Sequence, residues 1–156
     1  VELVAKIKKS SAFNKGFETL EYVQAALIDM EWNALPASAP LQDPVAFELA
    51  ALKKHNVYLE QVPPRYHSWY FTHIWANGYE AGYYAYLWSE VLDAGSVEWF
   101  KKNGGLTRKN GDHFRDTLLS RGGSADAVGL YRSFSGGEPD VGPLLKRRGL
   151  DKGVKK

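Results

Sequence analysis

The sequence predicts an all-α fold, on three observations. Between Phe17 and Leu35 the apolar residues Phe17, Leu20, Val23, Leu27, Met30 and Ala34 recur every third or fourth position, the spacing of one helix face. The punctuation suits helices. Asp43-Pro44 offers a capping carboxylate followed by a ring with helical φ, and Asn103-Gly104-Gly105, Arg121-Gly122-Gly123 and Gly136-Gly137 offer stops. Finally, no stretch alternates apolar and polar residues long enough to make a half-buried strand.

Taken in order, residues 3–13 form a short amphipathic helix with Leu3 and Ile7 inward, interrupted by Asn14-Lys15-Gly16. In the helix Phe17–Leu35, Ala25, Ala26, Ile28 and Trp32 widen the apolar stripe, so two of its sides are expected to be buried. Pro36 and Pro40 mark a linker. The helix opened by Asp43-Pro44 runs through Phe47, Leu49 and Leu52 to His55 or Asn56. Val57–Val62 is ambiguous, and Pro63-Pro64 ends it. The stretch RYHSWYFT, residues 65–72, is dense in aromatics without a period; it reads as a buried loop or one helical turn delivering His73. A long helix is then expected over Tyr79–Trp99. It is followed by Thr107–Ser120 with Phe114, Leu118 and Leu119 inward, by Ala125–Phe134 capped by Ser124, and by a last turn opened by Pro143. No internal repeat is visible, and residues 1–156 read as one helical unit.

Composition narrows the function classes. A hydrophobic share of 44% with 24% charged residues rules out wholesale disorder. The net charge of +2 is a poor electrostatic footprint for nucleic acid, so no nucleic-acid partner is expected. The basic tail Lys146–Lys156 reads as solvated or frayed. With no cysteine, disulfides and thiolate ligands are excluded. No apolar run reaches transmembrane length, so no membrane partner is expected. The opening VELVAKIKKS reads as a helix already in progress, as in a piece of a longer chain.

The most informative stretch is His73–Trp99, HIWANGYEAGYYAYLWSEVLDAGSVEW. On a continuous helix Tyr79, Tyr83, Tyr86 and Glu90 would share one face, while Tyr84, Leu87, Trp88, Val91 and Leu92 would face the core. Pattern alone leaves two readings. The commoner one is that a tyrosine stripe is core, with each hydroxyl finding one partner; the other is that a row of phenols beside the Asn77-Gly78 loop and His73 is a grip for a polar substrate.

Resemblance bears on that choice. The segment FTHIWANGYEAGYYAYLWSEVL resembles the glycine–tyrosine segment of the thimet-oligopeptidase-like zinc peptidases, and HIWANGY most resembles their bacterial dipeptidyl carboxypeptidase (peptidyl-dipeptidase) members. AFNKGFETLEYVQAALIDMEW, VPPRYHSWYFTHIW, NGDHFRDTLLSRGGSADAVGLYRSF and LLKRRGL resemble that family's C-terminal portion in the same order. The resemblance implies the C-terminal helical part of a larger, mostly α catalytic domain. It also implies a zinc cofactor whose ligands, an HExxH pair and a later glutamate, lie in an upstream part. Within the chain itself, His55, His67, His73 and His113 form no such motif: none precedes a glutamate and no two are four residues apart.

By the same resemblance Tyr86 is the donor to the oxyanion of the tetrahedral intermediate. Tyr79 and His73 contact that oxygen or the substrate backbone, and Tyr83, Asn77 and Gly78 help bind substrate. The partners implied are a peptide and the complementary N-terminal part of the same protein. A cytoplasmic setting is expected, with the periplasm as the alternative. The competing class is a standalone helical interaction module without catalysis. For Arg65 two readings stay open, a substrate carboxylate or an ion pair.

Overall fold

The computed structural model describes residues 2–151, and among them all regular structure is helical. Eight α-helices follow one another: α1 (Glu2–Ser11), α2 (Lys15–Asn33), α3 (Pro44–Lys54), α4 (Thr72–Ala76), α5 (Ala85–Lys102), α6 (Arg108–Thr117), α7 (Ala127–Ser135) and α8 (Gly142–Arg148), with a short 3₁₀ turn at Leu119–Arg121. The all-α expectation is met. The chain forms two compact units, Val1–Tyr86 and Leu87–Lys156.

The first unit is organised around α2. This helix starts after Asn14, which adopts a left-handed φ of 54°. Its buried face comprises Tyr22, Gln24, Ala25, Ala26, Ile28 and Asp29, whereas Phe17 and Met30 of the expected stripe are each 43% exposed. The helix is as predicted, but its buried face is rotated towards the residues read as a secondary stripe. Small alanines there allow close approach, and Gln24 and Asp29 are carried in with them. In α3 the Asp43 carboxylate accepts from Ala46 N at 2.8 Å, with Pro44 at the first helical position, as the sequence implied. Leu52 is buried, and Phe47 stacks on Trp32 at 3.9 Å between centroids. Helix α1 forms, yet Leu3 and Ile7, expected inward, are exposed.

The second unit centres on Phe134, 1% exposed, with the rings of Trp99, Phe100, Phe114, His113 and Tyr131 around it. Val91 and Ala94 of α5 pack with Leu144 of α8. Gly95 permits the tightest approach: a Cβ there would lie 2.2 Å from the Tyr131 hydroxyl. Two expectations differ, one about a cap and one about a helix end. Helix α7 is capped by Asp126, whose carboxylate accepts from Gly129 N at 2.7 Å, while Ser124 donates to the Arg121 carbonyl. Asp126 sits three residues before that amide, where Ser124 is two positions too early. Helix α6 ends at Thr117, so Leu119 falls in the 3₁₀ turn and is exposed.

The tail is only partly solvated. Arg147 and Arg148 lie in α8 and pair with Glu90 and Asp93 of α5. Residues 152–156, the rest of that expectation, lie outside the described residues.

The largest correction falls on the tyrosine stretch. No helix spans Tyr79 to Trp99; α4 ends at Ala76, residues 77–79 bend without regular structure, residues 80–84 form turns, and α5 begins at Ala85. Gly78 has φ 74° and Ala81 φ 54°, both left-handed, which no α-helix admits. Tyr84 and Trp88, expected in the core, are 52% and 41% exposed, because a helical phase counted from Tyr79 does not carry through these turns.

Candidate active site

Helix α4 delivers His73 into a cage of rings. Its imidazole lies 4.9 Å from Tyr66, 5.4 Å from Tyr83, 5.7 Å from Phe71 and 6.1 Å from Tyr79, between centroids. Its Nδ1 is buried and has no hydrogen-bond partner.

Beyond His73 the chain leaves the helix through Asn77 and Gly78, both exposed, with Tyr79 N donating back to His73 O at 3.2 Å. Tyr79 then stacks on Tyr86, the second residue of α5, at 5.4 Å and 16°. The two rings are 37% and 42% exposed. A hydrogen bond between the two phenols is the largest cause that pushes the Tyr86 pKa up to about 12, with burial and the neighbouring phenols adding to it. Tyr86 therefore keeps its proton far above neutral pH. Two phenols carry two O–H groups, and one bond within the pair leaves the other free for an outside acceptor.

Tyr83 is placed differently. Its ring is 3% exposed, stacks on Tyr22 at 5.1 Å, and meets Phe71 edge-on at 4.8 Å. Burial pushes its phenol pKa up, with the Arg65 guanidinium acting against that. Thus His73, Tyr79, Tyr83 and Tyr86 come together, but through turns rather than one helix face, and Tyr83 forms the floor. Arg65 pairs with Glu21 at 3.7 Å and lies over the Tyr22 ring.

Two residues that sequence reading missed hold this floor. Asp29, 0% exposed, accepts from Ala81 N and Tyr83 N, each at 2.9 Å. Tyr22 donates its phenol to the Tyr83 carbonyl. One signal was present in the sequence for Asp29: a carboxylate between Ile28 and Met30, inside a helix otherwise read as buried on two sides.

With this geometry in view, comparison with known proteins defines the class. The sequence matches Peptidase family M3 over residues 1–150, and the chain belongs to that family. It is 49% identical over 150 residues to the dipeptidyl carboxypeptidase of Escherichia coli K12, a match covering 96% of this chain and 22% of that protein. The dipeptidyl carboxypeptidase of Salmonella typhimurium LT2 is 47% identical over 151 residues, with 97% and 22% covered. Oligopeptidase A of Escherichia coli K12 is 44% identical over 80 residues, 51% of this chain and 12% of that protein. The chain thus spans 22% of the length of the dipeptidyl carboxypeptidases it matches.

The family implies zinc, and the residues present do not fit it. Among the described residues no three His, Cys, Asp or Glu side chains gather so as to hold a metal ion. His55 is engaged by Glu31 at 2.7 Å, His67 by Glu48 at 2.8 Å, and His113 by the Phe134 carbonyl at 2.9 Å. Among the described residues no helix is long and apolar enough to cross a membrane.

Proposed function

We propose that this chain supplies the substrate-binding and transition-state-stabilising wall of a zinc-dependent peptidase that releases dipeptides from peptide C-termini. Both compact units then belong to one helical C-terminal part of the catalytic domain, and the metal is held by the complementary upstream part of the same protein. The observation that carries the reading is the exposed, hydrogen-bonded Tyr79–Tyr86 pair beside His73. Addition of water to a peptide carbonyl generates an oxyanion, and a fixed phenol can donate to it without bringing a competing negative charge. Tyr86 is the primary donor. Tyr79 shares the site, and His73 contacts the same oxygen or the substrate backbone. Asn77 and Gly78 form the rim that closes over the peptide, Gly78 having the backbone freedom such a movement requires. The dipeptidyl carboxypeptidases at 49% and 47% identity support the substrate class.

The test is made in the longer peptidase that contains this segment. Tyr86→Phe is expected to lower turnover about 10²-fold or more while metal content stays unchanged, because only the donor is removed. Tyr84→Phe, on an exposed ring outside the cluster, is expected to leave turnover intact. Equal losses from both substitutions would remove Tyr86 from the role.

A further inference from the structure

Tyr79 and Tyr86 stand at either end of a run of turns with no helical ladder between them, so something else must fix their spacing. Two turn bonds lie within that run, Gly82 N to Tyr79 O at 2.8 Å and Ala85 N to Gly82 O at 3.0 Å, and the other ties lead to α2. Asp29 Oδ1 accepts from Ala81 N at 2.9 Å and from Asn33 Nδ2 at 2.8 Å, and Oδ2 accepts from Tyr83 N at 2.9 Å. About two helical turns earlier, Tyr22 donates to the Tyr83 carbonyl and stacks on its ring. Tyr83 is therefore held at its amide, its carbonyl and its side chain by a single helix. Ala81, left-handed at φ 54°, is kept in a conformation that a side-chain-bearing residue resists, and its amide is turned onto the carboxylate.

Accepting the reading of the Tyr79–Tyr86 pair as substrate donors, we propose that Asp29 is a positioning residue of the peptidase site. It touches no substrate; by gripping the amides of Ala81 and Tyr83 it sets the distance and stacking of Tyr79 and Tyr86. The donor set shows why an aspartate stands here. Three N–H groups converge on two oxygens, so the side chain must accept at both ends. An asparagine keeps one end and sets its own NH₂ against the Tyr83 amide, or, turned over, against the Ala81 amide and Asn33. The charged acceptor also makes each of these bonds stronger than a neutral one. A misplacement of about 1 Å at a reacting group can lower turnover on the order of 10²-fold, so a residue that never meets the peptide can still govern the rate.

The experiment has two arms. On this chain, Asp29→Asn is examined by amide hydrogen exchange and by NMR titration of the tyrosine rings. Faster exchange at Ala81 and Tyr83 is expected, with the Tyr86 phenol falling from about 12 towards the ordinary value of 10 as its bond to Tyr79 loosens. In the longer peptidase, Asp29→Asn is expected to lower kcat about 10- to 100-fold with little change in KM. Added to Tyr86→Phe, it should cause almost no further loss, since both act through one donor. Tyr22→Phe, which keeps the stack and removes only the phenol bond to Tyr83, serves as the milder variant should Asp29→Asn fail to fold; it is expected to move every readout the same way by less. Unchanged exchange and titration, or a loosened loop with full turnover, would overturn the positioning role. Losses that multiply in the double variant would reduce Asp29 to a purely structural residue. A silent Tyr86→Phe would instead remove the underlying reading of the phenols, and the role of Asp29 with it.

Discussion

Each unit of this chain builds a cluster of rings around one histidine, and the two clusters use their polar atoms in opposite ways. In the second unit His113 stacks on Trp99 at 5.1 Å and 21°, and its Nε2 donates to the Phe134 carbonyl. Phe134 at the centre is 1% exposed. In the first unit His73 sits in an equally dense aromatic cage, yet its Nδ1 has no partner and the Tyr79 and Tyr86 rings open outward. Composition alone would not separate them. What separates them is whether the polar atoms are satisfied from within: the His113 ring nitrogen is paired inside its cluster, and the His73 Nδ1 is buried without a partner.

Four substitutions and one titration probe that contrast, beginning with the largest effect. Phe134→Ala should cost about 3–5 kcal/mol in denaturant unfolding, since a large ring leaves a cavity amid five others. A cost below about 1 kcal/mol would mean the second cluster is not a core. Gly95→Ala should cost about 1–3 kcal/mol, because its Cβ meets the Tyr131 hydroxyl at 2.2 Å. In a Tyr131→Phe background most of that loss should disappear, as the nearest remaining ring atom is 3.4 Å away.

The histidines supply the sharpest opposition. His113→Phe should lose about 1–2 kcal/mol by leaving the Phe134 carbonyl without its donor. His73→Phe should be neutral or slightly stabilising, since it replaces an unpartnered buried nitrogen with an apolar edge. Thermal unfolding of the two variants, measured side by side, checks the pair; equal losses would erase the distinction between the clusters.

The smallest effect is a titration. In an alkaline absorbance titration one phenol should ionise near 12, and Tyr79→Phe should bring it back towards 10. The sign follows from the direction of the shift. With the folded value above the unfolded one, the stabilisation is complete below about 10 and is lost as pH rises through about 12.

How far the sequence revealed this depends on the reach of each interaction. Helix α3 was legible because Asp43 and Ala46 are three residues apart and Pro44 fixes its start. The existence of α2 was legible from its period, but its buried face was not, because the choice between Met30 and Asp29 is made by segments far along the chain. The candidate residues His73, Tyr79, Tyr83 and Tyr86 were named from a motif, and the structure brings them together, but their arrangement through turns was not legible. Asp29 draws the amides of Ala81 and Tyr83 out of any helical ladder, and those partners lie 52 and 54 residues away. Nothing within a window of one helix could report that. The caps of α7 show the reverse limit: Ser124 and Asp126 are both good capping residues, and local sequence does not choose between them.

The span of the Asp29 contacts also orders events in time. Helices such as α2 and α5 draw on contacts a few residues apart and can form in microseconds, before distant segments meet. The turns at 77–84 have a few short ties of their own, such as Gly82 N to Tyr79 O at 2.8 Å, but the amides of Ala81 and Tyr83 are held by α2. Their native arrangement is completed when a chain segment of more than fifty residues has closed back upon α2. Tyr79 and Tyr83 should thus be among the last parts of the first unit to reach their native places. In a kinetic analysis, substitutions at Ala81 or Asp29 would speed unfolding and barely touch the folding rate, the signature of structure acquired after the transition state.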